Sequence, residues 1–155
     1  MVHDQQGWPQ GTQVGAVRFA RRATQLEVAV SFYRDLVGLP LLLTFGSDDG
    51  PDAFAGAVFG LPGTQVTFEL IESRTPVPVD AHEQLVLYFP GRGERDLAVA
   101  RLDAAGQPRS VQDQYWIDND AVTFLDPDGH QVVLAPWVFG EQPPPARHKP
   151  AEPAS

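Results

Sequence analysis

The chain has 155 residues, of which 43% are hydrophobic and 20% charged, and it contains no cysteine. That length suits one globular domain or two small modules with a shared core, and the lack of cysteine excludes a disulfide framework, a zinc finger and a thiol nucleophile. The balance is acidic, with 20 Asp and Glu against 11 Lys and Arg and a net charge of −9. Nucleic-acid binders present a basic stripe, so the composition argues against nucleic acid and favours a neutral or cationic ligand.

The two ends of the chain differ in composition from its middle. Residues 1–13 are polar, which predicts a flexible segment and does not match a signal peptide. Residues 141–155 are rich in proline and lack apolar periodicity, which predicts a disordered tail. No apolar run approaches the roughly 18 residues of a membrane span. We therefore expect a cytoplasmic protein without membrane contact, folded over about 14–140.

The first half of the folded part predicts one strand, one helix and three further strands. Alternation predicts a strand over 16–20. Thr24 and Glu27 have the spacing of a capping box, and the helix that they open is expected to end at Gly38. Strand-like stretches follow at 41–45, 53–59 and 66–71.

The second half repeats this order. A strand over 85–89 and a helix over 94–105 are predicted first, followed by strands near 110–111, over 121–125 and over 131–135. The sequence thus reads β-α-β-β-β twice, in modules of about 14–75 and 83–138. A repeat of this size implies two similar halves packed together, and the predicted fold class is α+β.

Two motifs carry a resemblance to a known family. The run Phe32-Tyr33-Arg34-Asp35-Leu36-Val37-Gly38-Leu39 resembles the end of the first helix in the vicinal oxygen chelate superfamily, and Asp126-Pro127-Asp128-Gly129 resembles the turn before its last strand. That superfamily holds glyoxalases, extradiol dioxygenases, and fosfomycin and bleomycin resistance proteins. The resemblance implies paired modules whose strands curl around a small-molecule cavity, usually in a homodimer.

The resemblance also indicates where metal ligands would lie. Enzymes of the superfamily usually place His, Glu, His and Glu on the first and last strands of the two modules. The matching positions here are Arg18, Glu69, Gln84 and Val133. Arginine and valine cannot ligate a divalent ion, so we expect no cofactor. A divalent metal remains the minor alternative, through a displaced site that uses His82 with Glu69, whereas His130 is expected to face away.

Strand alternation supports the same register without reference to the family. The side chains that alternate with the predicted core positions face one side of each sheet. The predicted lining of a ligand-binding cavity therefore comprises Arg18, Thr67, Glu69, Gln84, Tyr88, Gln131 and Val133, with Tyr115 and Trp116 at its mouth. We expect Arg18 and Glu69 to form an ion pair there, because a guanidinium can replace the missing metal ion electrostatically.

Two functions follow from these positions. The first is a metal-free homodimeric protein, comparable to bleomycin resistance proteins, that binds or sequesters a small, partly aromatic molecule. The second is an enzyme of the superfamily, a lyase, isomerase or dioxygenase, which uses either a displaced metal or Glu69 as a catalytic general base with Arg18 holding an anionic oxygen.

Overall fold

The computed structural model describes residues 14–46, 54–61 and 63–138. The segments 1–13 and 141–155, predicted to be flexible and disordered, lie outside these residues. The described elements run in the order β1 (Val17–Ala23), α1 (Leu26–Ser31), β2 (Leu41–Phe45), β3 (Gly56–Gly60), β4 (Val66–Glu72), β5 (Gln84–Tyr88), α2 (Arg92–Ala104), α3 (Gln114–Asp118), β6 (Val122–Leu125) and β7 (Gln131–Ala135). Among the described residues, no helix is both long enough and apolar enough to cross a membrane.

The elements form two sheets, one from each half of the chain. The first sheet has the strand order β1-β4-β3-β2 and the second has the order β5-β7-β6. In both sheets the first strand of the half pairs in parallel with its last strand, and the remaining pairs are antiparallel. The repeated topology confirms the predicted α+β fold with paired modules.

Two local features differ from the sequence prediction. The strand predicted near 110–111 is reduced to an isolated bridge between Arg109 and Phe124, so the second sheet has three strands. The capping box was also wrong: α1 begins at Leu26, and the Thr24 hydroxyl and backbone N–H both donate to Asp128 in the other module. Thr24 therefore contacts the second module instead of capping its own helix.

The first helix continues beyond α1 as a π-helical segment over Phe32–Val37. It ends at Gly38, as the sequence predicted, where a φ of 94° requires the left-handed conformation that glycine adopts at little cost. The Arg101 guanidinium, from α2, donates to the backbone carbonyls of Leu36 and Val37 at 3.1 and 3.2 Å. Basic groups stabilise helix C-termini in this way. Because Arg101 belongs to the second module, this contact also joins the two modules.

The core lies between the helices and one face of each sheet. Phe68 and Leu70 on β4 and Val132 and Leu134 on β7 belong to one buried cluster, which also includes Tyr33 and residues of α2. We call this side of each sheet the helix face and the opposite side the site face. Because side chains alternate along a strand, Glu69 and Val133 lie on the site faces.

The start of β1 is exposed, although Val17 and Phe19 lie on the same side of the strand as the buried Arg21 and Ala23. Val17 is 51% and Phe19 48% exposed. Burial begins at Arg21 and Ala23, where the Arg21 side chain contacts Tyr33 and Asp126. Phe19 nevertheless stacks on Phe68, with ring centroids 6.0 Å apart.

Candidate ligand-binding site

Arg18 and Glu69 lie on the site face of the first sheet. The Arg18 Nε atom lies 3.1 Å from a carboxylate oxygen of Glu69, which is the ion pair expected from the sequence. The two side chains differ in environment, since the Glu69 side chain is 8% exposed and the Arg18 side chain 65%. The guanidinium thus reaches from solvent to a buried carboxylate, with Thr67 half-buried on the same strand.

The site face of the second sheet is covered by α3. Trp116 on this helix packs against Val86, Val133 and Ala135, and Val133 is fully buried. The Asp113 carboxylate caps the helix by accepting a hydrogen bond from the Trp116 backbone N–H at 3.2 Å. The sequence prediction placed Trp116 at the cavity mouth, but it gave no helix there.

A chain of side-chain hydrogen bonds crosses the same face. The Trp116 indole N–H donates to the Gln84 carbonyl oxygen at 3.0 Å, and the Gln84 amide donates to Gln131 at 2.6 Å. Gln131 in turn donates to the Ser110 hydroxyl at 3.2 Å. The amide of Gln84, at a mapped metal-ligand position, is therefore engaged at both its oxygen and its nitrogen.

Two tyrosines flank this covered face and keep contact with solvent. Tyr88 is 40% and Tyr115 45% exposed, and the Tyr115 ring meets Trp116 edge-on with centroids 4.8 Å apart. Burial raises the pKa of Tyr88, and the nearby Tyr115 adds to that shift. These rings form an exposed aromatic rim beside α3.

The predicted cavity residues therefore fall into two groups. Arg18, Thr67 and Glu69 lie on the first sheet, whereas Gln84, Tyr88, Tyr115, Trp116, Gln131 and Val133 lie on or over the second. Within the described part of the chain, the hydrogen bonds and ion pairs of Arg18 and Glu69 do not reach the second group. Each sheet thus contributes a separate half-site.

The residues at the mapped positions do not fit a divalent metal. Arg18 is a permanent cation paired with Glu69, Gln84 is engaged at both ends, and Val133 has no donor atom. The alternative site of His82 and Glu69 also lacks ligands, because no group of three or more His, Cys, Asp or Glu is arranged to hold a metal ion within the described residues.

A buried triad that sequence reasoning missed connects the two modules. The Tyr33 hydroxyl donates to Asp126 at 2.7 Å and accepts from Arg21 at 2.9 Å, and Arg21 lies 3.6 Å from the same carboxylate. Burial raises the pKa of Tyr33 well above its usual range; Arg21 opposes this shift and Asp126 adds to it. The signal was present, since Tyr33 and Asp126 belong to the two quoted motifs.

Comparison with protein families covers both modules. Residues 17–71 match a model described as the YycE-like N-terminal domain, and residues 83–136 match the YycE-like C-terminal domain. The chain belongs to the YycE-like family. A curated relative, YycE of Bacillus subtilis strain 168, is 32% identical over 127 residues, which are 79% of this chain and 88% of the relative.

Solved structures place this family in the vicinal oxygen chelate superfamily. A crystal structure of B. subtilis YycE, described as a putative glyoxalase/fosfomycin resistance protein, is similar with a TM-score of 0.70 and 26% identity over 86% of this chain and 99% of that one. The fosfomycin resistance protein FosX of Listeria monocytogenes, solved with Mn(II) and sulfate, has a TM-score of 0.58 and 13% identity over 83% and 94% of the two chains.

The fold is also shared with a glyoxalase. Lactoylglutathione lyase of Agrobacterium tumefaciens has a TM-score of 0.54 and 20% identity, over 79% of this chain and 93% of that one. At 20% and 13% identity these likenesses concern the fold alone. They confirm the architecture that the paired motifs predicted.

Proposed function

We propose that this YycE-like protein binds a small, partly aromatic molecule without a metal ion. The observation that carries the proposal is the ion pair of Arg18 with Glu69, because it occupies the positions at which metal enzymes of the superfamily hold their ion. An arginine there blocks a second cation by its charge, and the Glu69 carboxylate is already engaged as its partner.

The binding site requires a second copy of the chain. Among the described residues, no hydrogen bond or ion pair joins the two half-sites of one chain, and exposed apolar side chains lie beside both: Leu43 is 51% and Tyr115 45% exposed. Exposed apolar surface of this kind marks interaction sites. We propose a homodimer in which the first site face of one copy lies opposite α3 of the other, with the ligand between them.

The rim of this site favours an aromatic, neutral or cationic ligand. Tyr88 and Tyr115 offer faces for stacking and for cation–π contact. The carboxylates of Asp113 and Asp118 flank Tyr115 at the two ends of α3. With a net charge of −9, the chain also attracts cations at long range.

The alternative of an acid–base enzyme gives Glu69 the role of a general base. A general base must reach the substrate proton within hydrogen-bond distance, whereas Glu69 is 6% exposed and faces the Arg18 guanidinium. We therefore assign this pair to holding the two strands and setting the charge of the site, rather than to catalysis.

The test is binding to protein purified first without chelator and then treated with EDTA. We expect less than one-tenth of a metal ion per chain in elemental analysis, and quenching of tryptophan fluorescence by the aromatic cation acriflavine before and after EDTA. Tyr115→Ala is expected to weaken binding about tenfold or more through lost stacking, whereas Leu97→Ala, on the exposed face of α2, is the control. About one Ni, Zn, Mn or Fe per chain, lost in Glu69→Gln, would contradict the proposal.

A further inference from the structure

A cleft of about 560 Å³ lies between the two modules, and Gln84 of the second site face belongs to its lining. Its walls come from β1, from the segment that leads into β5, and from the residue before β7; the lining includes Phe19, Arg22, Val77, His82, Glu83 and His130. This volume is within the range of pockets that hold small organic ligands. Phe19, Val77 and Pro78 give the cleft an apolar wall.

His130 is the unusual residue of this cleft. It is 3% exposed, and neither ring nitrogen has a hydrogen-bond partner among the described residues. Its backbone is held firmly, since its N–H donates to the Asp126 carboxylate at 2.9 Å and its carbonyl accepts from the Asp126 N–H at 2.8 Å. Burying an imidazole without hydrogen-bond partners costs free energy. Both ring nitrogens of His130 are therefore available to a ligand in the cleft.

Arg22 adds a positive charge to the same wall. The neighbouring Arg21 is already engaged by Tyr33 and Asp126. Arg22, by contrast, is exposed, and no carboxylate of the described chain lies within ion-pair distance of it. A guanidinium binds carboxylates and phosphates through two parallel hydrogen bonds.

The backbone of β1 also contributes donors to the cleft. The Val17 N–H donates to Gln65 and the Ala23 carbonyl accepts from Ser73, so the odd-numbered residues of β1 use their backbone groups toward β4. In a parallel ladder the alternate residues direct theirs the other way. The N–H groups of Ala20 and Arg22 therefore point to the edge of β1 that lines the cleft, where no backbone acceptor among the described residues meets them.

We propose that this cleft is a second ligand site, which binds a small organic acid. The acidic group, a carboxylate or a phosphate, accepts hydrogen bonds from the His130 ring and from Arg22, while the apolar body lies against Phe19, Val77 and Pro78. Glu83 and His82, which also line the cleft, are available to polar substituents of the ligand. This site goes beyond the proposed function, because its ligand is an acid and no residue of α3 lines the cleft, although Gln84 contributes to both sites.

The experiment observes the His130 ring directly by NMR. Benzoate and phenylphosphonate are titrated into protein labelled with 13C in its histidine rings, with benzylamine as the cationic control. We expect saturable shifts of the His130 ring with an acid, at a dissociation constant of about 1 mM for so small a probe. The acid with the lower dissociation constant shows which acidic group the cleft prefers, the carboxylate of benzoate or the phosphonate of phenylphosphonate.

Three variants separate a binding role from a structural one. His130→Leu is expected to abolish acid binding while the Tm stays the same or rises by about 2–4 °C, because the unpartnered polar ring is removed. Arg22→Met is expected to weaken binding at least tenfold. Arg34→Met removes an equivalent charge from an exposed arginine paired with Asp35 and is the matched control, without effect on binding.

Three results would overturn the assignment. These are no saturable His130 shift with either acid up to about 50 mM, equal binding of benzylamine, or full affinity in His130→Leu. Acriflavine binding at the α3 rim is expected to be the same in Arg22→Met as in the wild type, so failure of one site is distinguishable from failure of the other.

Discussion

A buried cluster at the junction of the two modules comprises Arg21, Tyr33 and Asp126. It joins the two sequence motifs, since Tyr33 belongs to the first motif and Asp126 to the second. Asp126 also accepts the backbone N–H groups of Asp128 and His130 at 2.9 Å each, so one carboxylate orders its turn and receives the Tyr33 hydroxyl. Buried charges are tolerated only when they are paired and hydrogen-bonded. The loss of one member therefore strains the other two.

Tyr33→Phe tests this triad through the pH dependence of stability. A tyrosine in the unfolded chain ionises at about pH 10. In the native state the pKa of Tyr33 is raised above this value, so its hydroxyl keeps the proton at higher pH. Above that pH the unfolded state binds fewer protons than the native state, so the free energy of unfolding falls as the pH rises.

In urea unfolding we expect Tyr33→Phe to cost about 1–3 kcal/mol at neutral pH and to show a shallower loss above about pH 10. Tyr115→Phe, at an exposed tyrosine, is the control. Equal alkaline slopes in wild type and Tyr33→Phe would contradict the role of the triad.

The Arg18–Glu69 pair gives a second prediction at this scale. Arg18→Met leaves the Glu69 carboxylate buried without its cation, and we expect a loss of about 1–3 kcal/mol. This is less than the roughly 3–5 kcal/mol for fully buried pairs, because the Arg18 side chain is 65% exposed.

Adding Glu69→Leu to Arg18→Met removes the unpaired charge and is expected to restore part of that loss. The double-mutant cycle in urea unfolding measures the coupling between the two side chains. Strictly additive losses would show that the 3.1 Å contact contributes nothing to stability.

At the scale of elements, α3 decides the character of the second sheet. A helix of five residues is unstable alone, and this one is held by the Asp113 cap and by Trp116 packing on Val133. This helix covers the site face of the second sheet. On the site face of the first sheet, by contrast, the side chains of Arg18 and Leu43 are exposed to solvent. The two modules have similar topology but different surfaces.

Asp113→Ala is expected to loosen α3, because an N-cap carboxylate contributes about 0.5–2 kcal/mol. Hydrogen exchange at the amides of α3 is the measurement, and it should become faster by about two- to thirtyfold, which follows from that range. Asp118→Ala removes the same charge from the C-terminal end of the helix, where an anion is unfavourable. Equal acceleration in both variants would count against a capping role.

At the scale of the whole molecule, the two half-sites on separate sheets predict a homodimer. Leu43 on β2 pairs across the sheet with Val58, which pairs with Glu69, so Leu43 shares the open site face. We expect light scattering to give about twice the 16.9 kDa chain mass.

A charge placed on that face tests the geometry of the dimer. Leu43→Glu is expected to shift the protein to monomers by burying an unpaired carboxylate in the interface, while Leu97→Glu, at a residue of α2 that is 66% exposed, leaves it dimeric. A monomeric wild type, or a Leu43→Glu dimer as stable as the wild type, would exclude this arrangement.

Much of the architecture could be predicted from the sequence alone. Strand alternation and helical periodicity are local properties, and the repeat doubles the signal, so the two modules and the site-face register of Arg18 and Glu69 follow without coordinates. The expectation that no metal binds at the mapped positions also rests on residue type, since no fold turns Arg18 or Val133 into a metal ligand.

What only the tertiary structure decided are contacts between residues far apart in the chain. Thr24 donates to Asp128 instead of capping its own helix, α3 folds over Val133 instead of leaving an open rim, and the partnerless ring of His130 lines a cleft between modules. For Thr24, a local capping preference worth about 1 kcal/mol competes with hydrogen bonds to the other half of the protein. Sequence patterns report the local preference, and packing determines the outcome.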